Sequence, residues 1–303
     1  MAFPEPDRDA YAAAGGNLDR VDLIAQVGRV ATFGIDQHRI VASLHPERPE
    51  IGAVADWRGG VEVLQAAEAW LAAQGCTHVR GPMWLTPWLD HAANLGPFEV
   101  EPLLFEPTEP GDRWEPAGYS VRVRYVSIRA SHGQNITAGM DAAATLGSRG
   151  WRLETLDLRG DYDNAMALMH EVLHRAHAPT RGYVPVPAGV WADWYRRRVP
   201  ELLDPSLTRL ARTPQGEPAG VVLAYPDRDP RQFQLQTLAV VPEHRHVGLA
   251  SWMVAHVHQT AQRAGFELGI HTMVRHGDNR PPDTPWYRGD VIRRYADFGK
   301  PIR

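Results

Sequence analysis

Leu238-Ala239-Val240-Val241-Pro242-Glu243-His244-Arg245-His246-Val247-Gly248-Leu249-Ala250 is the stretch from which the fold can be read. An apolar run of strand character ends at a proline, and a turn bearing a glycine follows. From Leu249 to Ala264 the apolar spacing is that of a helix, which Gly265 closes. A helix start offers unpaired N–H groups and the positive end of the helix dipole, which suits a diphosphate. Gly248 and Ala250 are small where a phosphate would approach, and Arg245 and His246 add positive charge at the mouth.

Working outward, Ala219 to Tyr225 and Phe233 to Val241 read as strands before the helix, and Phe266 to Val274 as one after it. The same order occurs earlier. Arg39 to Leu44 and Ile51 to Ala55 are strands, Val61 to Gln74 a helix closed by Gly75, and Thr77 to Arg80 the returning strand. Strand, strand, helix, glycine, strand therefore occurs twice, which points to a duplicated α/β unit. Between the copies, Ser131 to Asn135 reads as a polar turn and Ala138 to Leu146 as a short connecting helix. Asp161 to Asn164 caps an amphipathic helix with Ala165, Leu168, Met169, Val172, Leu173 and Ala176 on its apolar side, and Pro179 to Pro187 is loop.

The loop Arg245-His246-Val247-Gly248-Leu249-Ala250 resembles the defining Gln/Arg-x-x-Gly-x-Gly/Ala pattern of the GNAT superfamily of N-acetyltransferases. Leu238-Ala239-Val240-x-Pro242-Glu243 is similar to that family's fourth strand and turn. The spacing is neither that of a Walker loop nor that of a Rossmann fingerprint. The resemblance covers Trp151 to Arg303 well and the first half in outline. It implies two GNAT-like domains, each a mixed, mostly antiparallel sheet flanked by helices, in an α/β (α+β) chain. The expected boundaries are 1–135 for a degenerate copy, 136–149 for a connector and 150–303 for the catalytic domain. Acetyl-CoA is the implied cosubstrate, with no metal. The backbone of Leu238, Ala239 and Val240 would pair with the pantetheine arm, and the N–H groups of His246, Val247, Gly248, Leu249, Ala250 and Ser251 would hold the pyrophosphate. In the first half the equivalent loop is Asp56-Trp57-Arg58-Gly59-Gly60-Val61-Glu62, where the pattern is missing and two carboxylates would repel phosphate. That copy is expected not to bind CoA and to shape the acceptor pocket or serve as packing. In the tail, Asp278 to Pro285 is a proline-rich loop in place of the family's asparagine-plus-helix segment.

Moving an acyl group from a thioester to an amine needs a neutral amine, a donor for the developing oxyanion and an acid for the thiolate. The N–H of Val240 can supply the donor. Where the family often places a glutamate, this chain has Gln234, which takes no proton. His271 is the substitute base to test first, with a core histidine as the plainer reading. Tyr287 and then Tyr295 are the positional matches for the acid, against ordinary packing. The missing glutamate also leaves open a non-catalytic acyl-CoA-binding module.

A competing motif is His170-Glu171-Val172-Leu173-His174, a helical H-E-x-x-H that could hold zinc in a peptidase. No third ligand follows at the usual distance, so a polar helix flank or an acceptor-pocket wall is the better reading. Trp191, Trp194 and Tyr195 could form another wall. Net charge is −4 with no basic block, which argues against nucleic acid. No apolar run is long enough for a membrane span, and the acidic N-terminus lacks a signal pattern, so a cytoplasmic protein is expected. Cys76, the single cysteine, reads as a packing residue. The expected partner is a small-molecule or peptide amine.

Overall fold

A computed structural model describes residues 4–98, 103–180, 183–198, 206–277 and 287–302. The proline-rich stretch 278–285 lies outside the described residues. The chain opens with helices α1 (Arg8–Ala13) and α2 (Leu18–Ala25), each capped by a side chain, Asp7 and Asn17. Strands β1 (Arg29–Ile35), β2 (His38–Leu44) and β3 (Ile51–Arg58) lead to α3 (Val61–Ala73), then β4 (His78–Gly81), β5 (Ala93–Gly96) and β6 (Ser120–Ala130). Helix α4 (His132–Ser148) links to β7 (Arg152–Thr155), α5 (Tyr162–His177) and α6 (Ala188–Arg198). The second half continues with β8 (Arg209–Arg212), β9 (Pro218–Pro226), β10 (Gln232–Val240), α7 (Leu249–Arg263), β11 (Leu268–His276) and β12 (Asp290–Pro301).

These strands form one 12-stranded sheet in the order β1-β2-β3-β4-β12-β6-β11-β10-β9-β8-β7, with β5 beside β12. The duplicated unit is plain. β3 runs parallel to β4 across α3, and β10 runs parallel to β11 across α7, while the remaining strand pairs are antiparallel.

The two units exchange their last strands. β6 ends the first half in sequence but pairs with β11, and β12 ends the chain but pairs with β4. The two meet side by side at the sheet centre, from Asp290 opposite Arg129 to Gly299 opposite Ser120. Phe298 on β12 thus packs in the first unit's core against Trp114, at 5.9 Å between ring centroids.

The stretch expected as a turn and short connector is one continuous helix, α4. Its buried residues His132, Asn135, Gly139 and Leu146 recur at helical spacing and face α7. The polar character of Ser131 to Asn135 misleads because two of these polar residues are core residues with internal partners. His132 bonds the carbonyl of Phe266, and the amide of Asn135 bonds that of Ser131. Gly139 permits the approach, since a Cβ there would lie 2.4 Å from the carbonyl oxygen of Ser251.

Candidate active site

β10 and β11 pair over four rungs only, from Gln232 opposite Leu268 to Leu235 opposite His271. At that last rung both strands carry an irregularity, β10 between Leu235 and Thr237 and β11 between His271 and Val274. A bulge bends its strand and sharpens the local twist. Two bulges on adjacent strands at one level turn the strands apart. Beyond it, among the described residues, β10 pairs only with β9 and β11 only with β6, which leaves their facing edges open. The N–H of Val241 is bonded to Ala219 on β9, so by strand alternation Val240 and Leu238 direct their backbone groups into the wedge.

The wedge leads to the loop Pro242–Gly248 and the start of α7. Gly248 is the N-cap residue at φ 91°, and no side chain caps this helix. The first intrahelical bond is Trp252 N–H to the Gly248 carbonyl, which leaves the N–H groups of Leu249, Ala250 and Ser251 without helical partners. His246 also has positive φ, 66°, and Val247 is 46% exposed. A Cβ on Gly248 would meet that of Ala142 at 2.9 Å, so α4 backs the loop from behind.

Arg245 does something the sequence did not announce. Its Nε donates to the Val240 carbonyl at 3.2 Å and its Nη2 to the Ala176 carbonyl at 2.6 Å. The guanidinium ties the loop to the end of β10 and to the C-terminus of α5, where a cation also suits the helix dipole. It shapes the loop from within.

Polar groups cluster where the wedge closes. Thr272 Oγ1 donates at 3.2 Å to the Leu235 carbonyl or to Gln236 Oε1, and Tyr225 donates to Gln236 Oε1 at 2.6 Å. Gln234 is fully buried, and its amide donates to Asp227 Oδ1 at 2.6 Å.

His271 lies on the α7 side of the sheet in a chain of buried imidazoles. Its Nε2 is 2.9 Å from His258 Nε2, and His258 Nδ1 is 3.1 Å from His132 Nδ1. His132 Nε2 must donate to the Phe266 carbonyl, so with neutral rings the proton positions follow in turn. His258 carries its proton on Nδ1 and His271 carries its on Nε2. The Nε2 of His271 is thus committed as a donor to His258. Burial and the neighbouring imidazoles hold His258 well below the usual histidine range. A histidine so depressed contributes stability above the ordinary histidine pKa and loses it as pH falls. From pH 7 to pH 5 the thermal midpoint of His258→Gln is expected to rise relative to that of the wild type, and a constant difference between the two melts would refute the assignment.

Tyr287 stacks on His276 at 5.6 Å, and its hydroxyl is buried without a partner among the described residues. Tyr295, the second tyrosine singled out, lies on β12. Its hydroxyl is 2.6 Å from Glu106 Oε1 and 3.0 Å from Ser127 Oγ, and burial beside Glu106 raises its pKa above the tyrosine range. It braces the sheet centre.

The H-E-x-x-H residues are held by local partners. His170 Nε2 meets the Val186 carbonyl at 2.7 Å, His174 Nδ1 meets the Tyr183 hydroxyl at 3.0 Å, and Glu171 pairs with Arg175. Among the described residues no three His, Cys, Asp or Glu side chains are grouped to hold a metal. Trp191 and Trp194 are buried, with Trp191 against His170, Tyr195 and Trp88 of the first half. No helix among the described residues is long and apolar enough to cross a membrane.

The first unit repeats the geometry with the wedge filled. β3 and β4 pair from Ile51 to Ala53 and then part, but Met83 N–H takes the Val54 carbonyl. The Trp114 ring fills the space where a Cβ on Gly81 would sit. The N–H of Asp56 is turned to the Glu109 carboxyl. The charge of Asp56 is balanced by Arg39, at 2.7 Å, and by the Tyr11 hydroxyl. Occupation by the chain itself closes this site more directly than the repulsion read from Asp56 and Glu62.

An open strand wedge feeding an uncapped helix, present once open and once plugged, marks a protein built from two copies of one unit. Residues 168–281 match the acetyltransferase (GNAT) family, so the second half carries a GNAT acetyltransferase domain. No curated protein sequence matches the chain. Among solved structures, the fold is similar to a GCN5-related N-acetyltransferase from Sphaerobacter thermophilus at TM-score 0.53 and 17% identity, covering 97% of this chain and 90% of that one. It is also similar to a probable N-acyltransferase from Enterococcus faecalis at TM-score 0.56 and 11% identity, covering 97% and 68%.

Proposed function

We propose that the protein is an acetyl-CoA-dependent N-acetyltransferase that moves an acetyl group to a primary amine of a small metabolite or peptide, acting in the cytoplasm. The observation that carries this reading is the parting of β10 and β11 at paired bulges directly ahead of the uncapped N-terminus of α7. The open edge from Leu238 to Val240 is suited to pairing with the amide groups of the pantetheine arm. The N–H groups from His246 to Ser251 are suited to the diphosphate.

By direct attack, the amine nitrogen bonds to the thioester carbonyl while the Val240 N–H faces the developing oxyanion. The leaving thiolate takes a proton from Tyr287, whose buried hydroxyl has no other partner among the described residues. Tyr287→Phe is expected to lower kcat by about 100-fold or more with little change in KM for acetyl-CoA, the effect of removing a general acid. The reading is tested by calorimetric titration with acetyl-CoA and by thiol release across a panel of primary amines. Tight binding with no release from any amine would point instead to a binding module, and no binding would remove the reading altogether.

A further inference from the structure

The short segment Leu103–Glu106 belongs to the first half but lies across the second. Leu103 packs with Ile270 of β11 and Ile292 of β12, and Phe105 meets Tyr225 of β9 edge to face at 5.7 Å. Glu106 receives the Tyr295 hydroxyl and pairs with Arg293 at 2.8 Å. Between these anchors, Leu104 donates its N–H to Asp227 Oδ1 at 3.1 Å. The same oxygen accepts the Gln234 amide at 2.6 Å. Both donors therefore converge on Oδ1 of a half-buried carboxylate, and Oδ2 has no partner among the described residues.

Asp227 is the carboxylate of a continuous polar chain that ends where the wedge closes. Gln234 links it to Tyr225, Tyr225 to Gln236, and Gln236 to Thr272 beside the final rung of β10 and β11. This chain includes no histidine, and Phe233, the neighbour of Gln234 on the strand, packs instead against His132 and His258. A carboxylate fixed through one oxygen, with an aromatic pair alongside, is a receptor for an ammonium group on an apolar stem.

The geometry points to Asp227, held by Leu104 and Gln234, as the residue that binds the acceptor ammonium and takes its first proton, with Phe105 and Tyr225 lining the path of the stem. The inference rests on the acyl-transfer reading and names the acceptor side of that site. The amine arrives as R–NH3+, and one N–H proton passes to Asp227 Oδ2, which frees the nitrogen lone pair. The C–N bond forms at the thioester carbonyl, the C–S bond breaks with its electron pair leaving on sulfur, sulfur takes the Tyr287 hydroxyl proton, and the second nitrogen proton restores that hydroxyl. The first half thus contributes to the acceptor site through the Leu104 backbone and the Phe105 ring.

The test uses the full chain saturated with CoA and phenethylamine as probe, followed by calorimetry, with phenethyl alcohol as the uncharged control. Wild type is expected to bind the amine and not the alcohol, and Asp227→Asn to weaken the amine at least 10-fold with acetyl-CoA affinity unchanged. Because the Gln234 amide touches Asp227, Gln234→Glu returns a carboxylate to the same place. The double variant D227N/Q234E is expected to recover most of the binding. Undiminished amine binding in Asp227→Asn, or no amine binding by a wild type that binds acetyl-CoA normally, overturns the assignment and leaves the acyl-transfer reading standing. Failure of wild type to bind acetyl-CoA overturns both.

Discussion

Replacing Ala250 by aspartate is expected to weaken acetyl-CoA binding by on the order of 100-fold while leaving the melting temperature unchanged or slightly higher. Ala250 is in the first turn of α7, and no acidic residue or side-chain cap serves that end of the helix. A carboxylate in a first turn complements the macrodipole and stabilises a helix by about 0.3–1 kcal/mol. The same charge set about 5 Å from a diphosphate costs about 3 kcal/mol at an effective dielectric near 20, which corresponds to about two decades in affinity. The substitution therefore moves fold stability and ligand binding in opposite directions, and a merely structural loop cannot reproduce that. Gly248 is a poorer probe, because its φ of 91° and the 2.9 Å approach of Ala142 to any added Cβ would strain the loop itself. Titration calorimetry and a thermal melt on one preparation settle the point. An unchanged affinity with an unchanged melt would remove the diphosphate from this loop.

The part of the fold that carries this prediction was legible because it is local. A strand, a proline, a glycine turn and a periodic helix are encoded in consecutive residues, and Leu238 to Ala250 takes that conformation. The duplicated order was legible for the same reason. The strand exchange was not, although Ser120 to Ala130 alternates polar and apolar residues clearly enough to mark β6 as a strand. Alternation says that a strand exists and nothing of its neighbour, and both β6 and β12 find theirs in the other half.

The candidate site divides along the same line. The glycine of the loop could be read, but the work of Arg245 depends on the Ala176 carbonyl, 69 residues away. His271 was noticed as a titratable group on the right strand. Its engagement with His258 and His132 required α4 to be a helix packed on α7, whereas its polar start reads as a turn. Asp227 carried no local signal at all. A carboxylate in a turn between two strands is ordinary until the backbone of Leu104 arrives from the other half.

Glu109 gives the largest expected effect on stability, with a sign opposite to that of the usual surface carboxylate. Its side chain is buried, one carboxyl oxygen has no hydrogen-bond partner among the described residues, and burial pushes its pKa up from the ordinary value of 4.5 to about 8, against the opposing pull of Arg58 and Arg113. In the unfolded chain the group ionises near the ordinary value, whereas in the fold it keeps its proton to about pH 8. Its contribution is therefore full below about pH 4.5, declines through the neutral range and is lost above about pH 8. A displacement of that size is worth roughly 4–5 kcal/mol. Glu109→Gln keeps an acceptor for the Asp56 N–H but cannot ionise, so its stability is expected to be flat where that of the wild type falls. At pH 8.5 the variant should melt on the order of 10 °C higher, and at pH 5 the two should nearly coincide. The depressed histidine at 258 acts in the opposite direction, with stability falling as pH drops below the histidine range, so the two slopes oppose each other there and only the loss from Glu109 remains above it. A wild-type melt unchanged from pH 6 to pH 8.5, or a Glu109→Gln melt that tracks it, would show the carboxyl of the plugged wedge to be ionised and paired. The closure of the first unit would then rest on Trp114 and Met83 alone.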